Sequence, residues 1–204
     1  MIAIVDYNMG NLASVINACE LLGESVKVES SPKNFKNYEK LILPGVGAYP
    51  DAMEHLKEFD MVESIKDYAA SGNYMLGICL GMQLLFDGSE EFGNTQGLGL
   101  IKGDIKAFDV KKFSHPLKVP HMGWNRMFTK KHPLFEGLDD EHYLYFVHSY
   151  HATCKDESDT IGECDYGYRF TSAVGKDNVF GIQPHPEKSH KNGLKILENF
   201  IGLK

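Results

Sequence analysis

No stretch of this chain approaches the roughly 20 consecutive apolar residues that a membrane-crossing helix needs, so no membrane is expected as a partner. Positive charge is also in short supply: 21 Lys and Arg stand against 28 Asp and Glu, a net charge of −7. A nucleic-acid groove needs a basic face, so nucleic acid is excluded. Cysteine is scarce. Cys19, Cys79, Cys154 and Cys164 form no C-x-x-C pair and no disulfide-rich spacing, which points to a reducing cytoplasm. No basic n-region precedes "IAIVDY", so no secretory leader is expected. Internal repeats, low-complexity tracts and linkers that would divide domains are all missing. What is present is ordinary globular composition, 43% hydrophobic and 24% charged over 204 residues, read as one domain, 1–204.

The first half alternates strand and helix. "IAIVDY" (2–7) reads as a buried strand, and Leu12, Val15, Ile16, Cys19 and Leu22 then recur at helical spacing until Gly23 stops them. "SVKVES", "KLILPG" and "NYMLGI" are further strands, with helical periodicity over 51–70 between the last two. The second half differs: "GLGLIKGDIKAF", "LKVPHMGWNRMF", "YLYFVHSYHATC" and "YRFTSAVGKDNVFGIQ" are strand-like and broken by Gly, Asn and Asp. "KNGLKILENFI" closes the chain as an amphipathic helix. The expected class is α/β: an open, mostly parallel central sheet flanked by helices, with antiparallel strands in the second half.

"GICLGMQLLF" (77–86) sets a cysteine between two glycines where a strand gives way to a helical pattern. Gly77-Ile78-Cys79-Leu80-Gly81 follows the G-x-S-x-G nucleophile-elbow grammar with cysteine in place of serine. On such a turn the residues two positions away must be small, and the side chain stands exposed at a helix N-terminus, where the dipole favours thiolate. The Leu80 N–H then points where an oxyanion would form. The alternative is a structural cysteine flanked by packing glycines.

A thiol nucleophile needs a base, and nine histidines compete. His55, His115, His132, His142 and His190 sit in polar, loop-like surroundings and are read as solvated. His121, His148 and His151 remain candidates. In "IQPHPEKS" (182–189), His185 lies between prolines just after an apolar strand, with Glu187 two residues on. The prolines fix the backbone so that the carboxylate can orient the ring, which would make a Cys79–His185–Glu187 triad. "PGVG" (44–47) ends a strand on the same sheet edge, so Gly45 and Val46 would supply the second oxyanion donor. A phosphate cradle is the other reading of that turn, but it lacks the lysine and spacing of a P-loop. Zinc held by His148, His151, Cys154 and Cys164 is disfavoured, because strand alternation would put the two histidines on opposite faces and no short paired-ligand spacing appears. No metal or cofactor is called for. Trp124 by itself reads as core.

"GICLGMQLLF" with "HPEKS" resembles the triad-type (class I) glutamine amidotransferases. The likeness runs the whole chain through "DYNMGNLASV", "LILPGVGAY", "GLGLI", "PHMGWN" and "YFVHSY", narrowing to the glutaminase subunits that feed a (β/α)8-barrel cyclase in histidine biosynthesis. The resemblance implies a flavodoxin-like sheet and L-glutamine as substrate. It also implies that Cys79 attacks the carboxamide, His185 moves the proton and Glu187 orients His185. Gly47, Gln83, Ser149 and Tyr150 would hold the substrate, while Pro120, Met122 and Trp124 would face the partner in a heterodimer. In the resting state the Gly45–Val46 peptide would be turned so that a carbonyl fills the oxyanion pocket. Two departures stand out. Pro184 replaces the usual aromatic before His185, so that loop is expected to sit differently. "KSH" and "TSAV" resemble paralogues that amidate surface-polysaccharide sugar precursors. A non-catalytic scaffold is the reading from another class, and a cysteine peptidase or chaperone-like relative with the same elbow a second rival. The scaffold is disfavoured because Cys79, His185 and Glu187 are all present; Gln83, "PGVG" and the His-Pro-Glu order argue against the peptidase.

Overall fold

In β1 (Ile2–Val5) every residue is buried, and alternate side chains serve opposite faces of one sheet. Ala3 and Val5 join the cluster under α2 (Tyr49–Glu58) and α3 (Met61–Ala70). Ile2 and Ile4 join the cluster under α1 (Leu12–Leu21), which the C-terminal helix completes. A strand covered on both faces reads as a continuous apolar run, which is why "IAIV" shows no polar alternation. The computed structural model describes residues 1–139 and 141–204.

Five parallel strands form the core of the sheet. β2 (Val26–Glu29) and β3 (Lys40–Leu43) flank β1, β4 (Tyr74–Ile78) follows β3, and the late strand Val179–Ile182 lies against β4. This is the 2-1-3-4-5 order of flavodoxin-like sheets, whose ligands sit beyond the carboxyl ends of the strands. The periodic stretch 51–70 is two helices rather than one: Asp60 adopts a left-handed conformation (φ 55°) and separates α2 from α3.

After β4 comes α4 (Leu80–Gln83) and then a mostly antiparallel part: β5 (Gly88–Ser89), β6 (Thr95–Gln96), β7 (Gly103–Ala107), β8 (His121–Thr129), β9 (Tyr143–His148), β10 (Tyr150–Cys154), β11 (Thr160–Asp165) and β12 (Arg169–Lys176). Within it only β5 and β7 pair parallel among the described residues. β13 (Val179–Ile182) pairs antiparallel with β12 and parallel with β4, so it joins the two halves into one sheet. α5 (His190–Gly202) packs Ile196, Leu197 and Phe200 under the face that α1 also covers. Fully burying a side chain of this kind is worth about 1.5–3 kcal/mol. "YLYFVHSYHATC" is not one strand. It breaks at Ser149 into β9, paired with β8, and β10, paired with β7.

Candidate active site

Cys79 sits where β4 ends, with φ 54° and ψ −112°, a conformation L-residues rarely adopt. The neighbouring glycines explain how the chain tolerates it. A Cβ on Gly77 would lie 2.6 Å from the Gly81 carbonyl oxygen, and one on Gly81 would lie 1.8 Å from the Leu43 carbonyl oxygen. The elbow is therefore pressed onto the end of β3, and its N–H is tied to Ile182 by Cys79 N–H donating to the Ile182 carbonyl (2.8 Å). The helix that follows corrects the sequence expectation: α4 is one turn of four residues, so the dipole available to favour thiolate is small.

His185 and Glu187 come together as the sequence pattern requires. The ring Nδ1 lies 2.8 Å from a Glu187 carboxylate oxygen, and both side chains are nearly inaccessible (4% and 2% exposed). That contact makes Nδ1 the donor, leaving Nε2 for Cys79; Nε2 is buried and has no hydrogen-bond partner. Burial opposes charging the ring, but Cys79 and Glu187 beside it outweigh that and raise its pKa to about 10. The loop is pinned to β9. His185 N–H donates to the Tyr145 carbonyl, and buried Ser189 donates its Oγ–H to the His185 carbonyl while accepting from Tyr145 N–H. Pro184 is buried within this arrangement.

A cavity of about 350 Å³ opens over the thiol, lined by Val46, Gly47, Cys79, Leu80, Gln83, Glu91, Ser149, Tyr150 and His185 among others. That is near the small end of ligand sites, suited to an amino acid rather than a polypeptide. The "PGVG" turn stands at its edge, held by the buried Tyr7 hydroxyl donating to the Pro44 carbonyl (2.8 Å). Val46 N–H does not face the thiol; it donates to the Met9 carbonyl at 2.9 Å.

The family description Glutamine amidotransferase class-I matches residues 3–203. The chain belongs to the class-I glutamine amidotransferases. Its curated relatives include imidazole glycerol phosphate synthase subunit HisH of Sulfurimonas denitrificans, 72% identical over 98% of this chain and 97% of the relative. HisH of Wolinella succinogenes is 54% identical over the full length of both. Among solved structures, PurLQS from Thermotoga maritima superposes with a TM-score of 0.78 at 20% identity, covering 98% of this chain and 96% of the other. A further glutamine amidotransferase structure gives 0.74 at 16%, covering 97% and 98%; likenesses this remote speak for the fold alone.

Within this amidotransferase fold, several residues lie elsewhere than the sequence suggested. His142 is buried, not solvated. His148 and His151 fall on different strands and both pack against Phe108 (ring centroids 5.2 and 4.9 Å), so the expected opposite faces are corrected by the break at Ser149. His148 shares a ring-to-ring hydrogen bond with His121 (3.0 Å) and contacts the Tyr150 carbonyl. His151 is held by the Ala152 carbonyl and the Tyr168 hydroxyl, so its ring nitrogens are engaged within the fold. Trp124 is 46% exposed rather than core, stacked on His190 beside exposed Met122 and Pro120. Glu91, which carries no motif, is the one carboxylate among the described residues that line the cavity, and it also accepts from Tyr49 N–H at the start of α2. Its two-residue strand neighbourhood offers no periodic signal that would have flagged it. Burial, partly offset by the Tyr49 N–H, raises its pKa.

Proposed function

We propose that residues 1–204 form one glutaminase domain, the ammonia-producing subunit of an imidazole glycerol phosphate synthase in histidine biosynthesis. The observation that carries this is an amino-acid-sized cavity lined by Cys79 and His185, with the buried Glu187 carboxylate on the far nitrogen of His185, in a chain 72% identical to a HisH subunit. Cys79 Sγ attacks the side-chain carbonyl carbon of L-glutamine, placing negative charge on oxygen. His185 gives its Nε2 proton to the departing amine, so ammonia leaves and a glutamyl thioester remains. His185 then takes a proton from water as the water oxygen attacks, the C–S bond breaks, and glutamate is released with the Cys79 thiolate and the His185 imidazolium restored. Leu80 N–H is one oxyanion donor. Val46 N–H is the second once its peptide turns away from Met9, so the form described is the resting one. Gly47, Gln83, Ser149 and Tyr150 surround the rest of the substrate, and Glu91 suits its α-ammonium.

The ammonia passes to a (β/α)8-barrel cyclase docked over Pro120, Met122 and Trp124, whose exposed apolar surface supports that placement. The cytoplasm is the proposed compartment, in keeping with four free cysteines. None of the helices among the described residues is long and apolar enough to cross a membrane. The names of the close relatives favour this pathway over sugar amidation. Ammonia release from glutamine, measured with and without the cyclase and its ligand, tests the reading. A partner-free rate equal to that of the liganded complex would remove the resting, turned-away Val46 peptide from this reading, and no release in either case would remove the glutaminase.

A further inference from the structure

Two glutamines, Gln83 in the cavity wall and Gln183 behind it, connect the thiol to a backbone carbonyl. Gln83 Nε2 donates to the Tyr150 carbonyl (3.1 Å) and to Gln183 Oε1 (2.9 Å). Gln183 Nε2 in turn donates to Cys79 Sγ at 3.7 Å. Gln183 is fully buried and Gln83 only 5% exposed, so a mispaired amide between them has no solvent to replace the lost bond and would be costly.

An amide side chain can be turned over, exchanging donor and acceptor, and only its partners decide which way it faces. A backbone carbonyl only accepts. The Tyr150 oxygen therefore forces Gln83 to present its NH2, and that group's second N–H forces Gln183 to present oxygen. What Gln183 has left for the sulfur is its own NH2. Turning Gln83 alone would set its oxygen against two acceptors. Turning both would still leave it against Tyr150. The elbow keeps this geometry in register, because Cys79 N–H is bonded to Ile182, the residue before Gln183. The titratable groups that also face Cys79 are His185 and Tyr7.

We propose that Gln183 is a further catalytic residue whose side-chain N–H stabilises the Cys79 thiolate, and that Gln83 is the positioning residue that keeps that N–H turned to sulfur. The proposal rests on the glutaminase reading, in which Cys79 is the nucleophile. It gives Gln83 a second consequence: with both N–H groups committed, only its oxygen is left for the cavity, where it suits a donor such as the substrate's ammonium. A donor aimed at sulfur favours the anion over the thiol, adding to the His185 imidazolium where a one-turn helix supplies little.

The test is alkylation of Cys79 by iodoacetamide in the full-length chain, followed on the Cys79 peptide by mass spectrometry from acid to alkaline pH. Gln183→Met keeps bulk and removes the donor; Gln183→Glu keeps the bond from Gln83 but turns an acceptor to sulfur. Both are expected to move the reactivity midpoint upward, by roughly one pH unit for Gln183→Met and further for Gln183→Glu. The rate at neutral pH and kcat should fall about 10–100-fold, the size of one hydrogen bond to a charged group. KM for glutamine should change little in Gln183→Met. Gln83→Met should shift the midpoint in the same direction, by less. Folded variants with an unmoved midpoint overturn the proposal. Should neither Gln183 variant fold, the side-chain amide resonances of the wild-type protein decide: those of Gln183 must move with pH and on alkylation, and must not titrate in Cys79→Ala. Static resonances overturn it equally. Reactive Cys79 without ammonia release would strike the glutaminase reading alone, whereas normal turnover with unshifted variants would strike Gln183 alone.

Discussion

At Cys79 one atom of side chain is exposed to reaction by a backbone that has few alternatives. The residues that meet here were legible in the sequence because each carries a local signature: glycines at two-residue distance for the thiol, flanking prolines for His185, two-residue spacing for Glu187. Gln183, Glu91 and Ser189 carry none. Their importance comes from neighbours distant in the chain, 104 residues in the case of Gln183 and Cys79, and a single sequence does not report such contacts. Replacing Cys79 with alanine should abolish glutamine hydrolysis in a chain that still folds; appreciable residual turnover would take Cys79 out of the mechanism. His185→Ala should cost about 100–10,000-fold in kcat, the range for a lost general acid–base. Glu187→Gln should be milder, since the ring survives and only its orientation and charge stabilisation suffer. Steady-state kinetics of the two variants side by side checks the order.

Elements packed between strands were easier to read than elements paired across long loops. β1, β3 and β4 announce themselves as unbroken apolar runs because helices cover both faces. In the antiparallel half, pairing depends on partners far away, so the break between β9 and β10 and the shortness of α4 left no clear mark. The glycines of the elbow mark a contact between elements, and their replacement tests it. A Cβ on Gly81 would meet the rigid carbonyl of Leu43 at 1.8 Å, so Gly81→Ala should destabilise the fold by at least about 2–3 kcal/mol, read from its urea midpoint. A wild-type midpoint would mean that β3 can withdraw from the elbow. The "PGVG" turn poses a different question. Turning the Gly45–Val46 peptide moves Val46 toward positive φ, which a β-branched residue resists and glycine accepts. Val46→Gly should therefore raise partner-free glutamine turnover several-fold, within the roughly 100–1,000-fold that one oxyanion donor is worth. A variant no faster than wild type would show that Val46 does not restrain the turn.

Over the whole molecule, the histidines set opposite limits on stability. Burial lowers the pKa of His121 to about 4 and that of His148 well below its ordinary value, and it also lowers His132 and His151. These rings stay neutral in the fold while the unfolded chain takes up protons near 6.5. Their contribution is therefore complete above 6.5 and is lost as pH falls toward 4 and below. His185 behaves in reverse. Its pKa, raised to about 10 despite burial by Cys79 and Glu187, gives stability that is complete below 6.5 and is lost as pH rises through 10. The two trends meet near neutrality, so unfolding free energy from urea titrations should peak there and fall on both sides. Each histidine kept neutral contributes a slope of about 1.4 kcal/mol per pH unit on the acid side. His121→Gln should remove close to one such slope between 6.5 and 4, and His185→Gln should flatten the alkaline fall instead. Those two effects are separable in one experiment because they occupy different pH windows. If His121→Gln leaves the acid slope as steep as before, the ring is already charged in the native protein. The hydrogen bond from His121 to His148 must then carry a proton that the buried pair, with His148 also bonded to the Tyr150 carbonyl, has no counter-charge to hold.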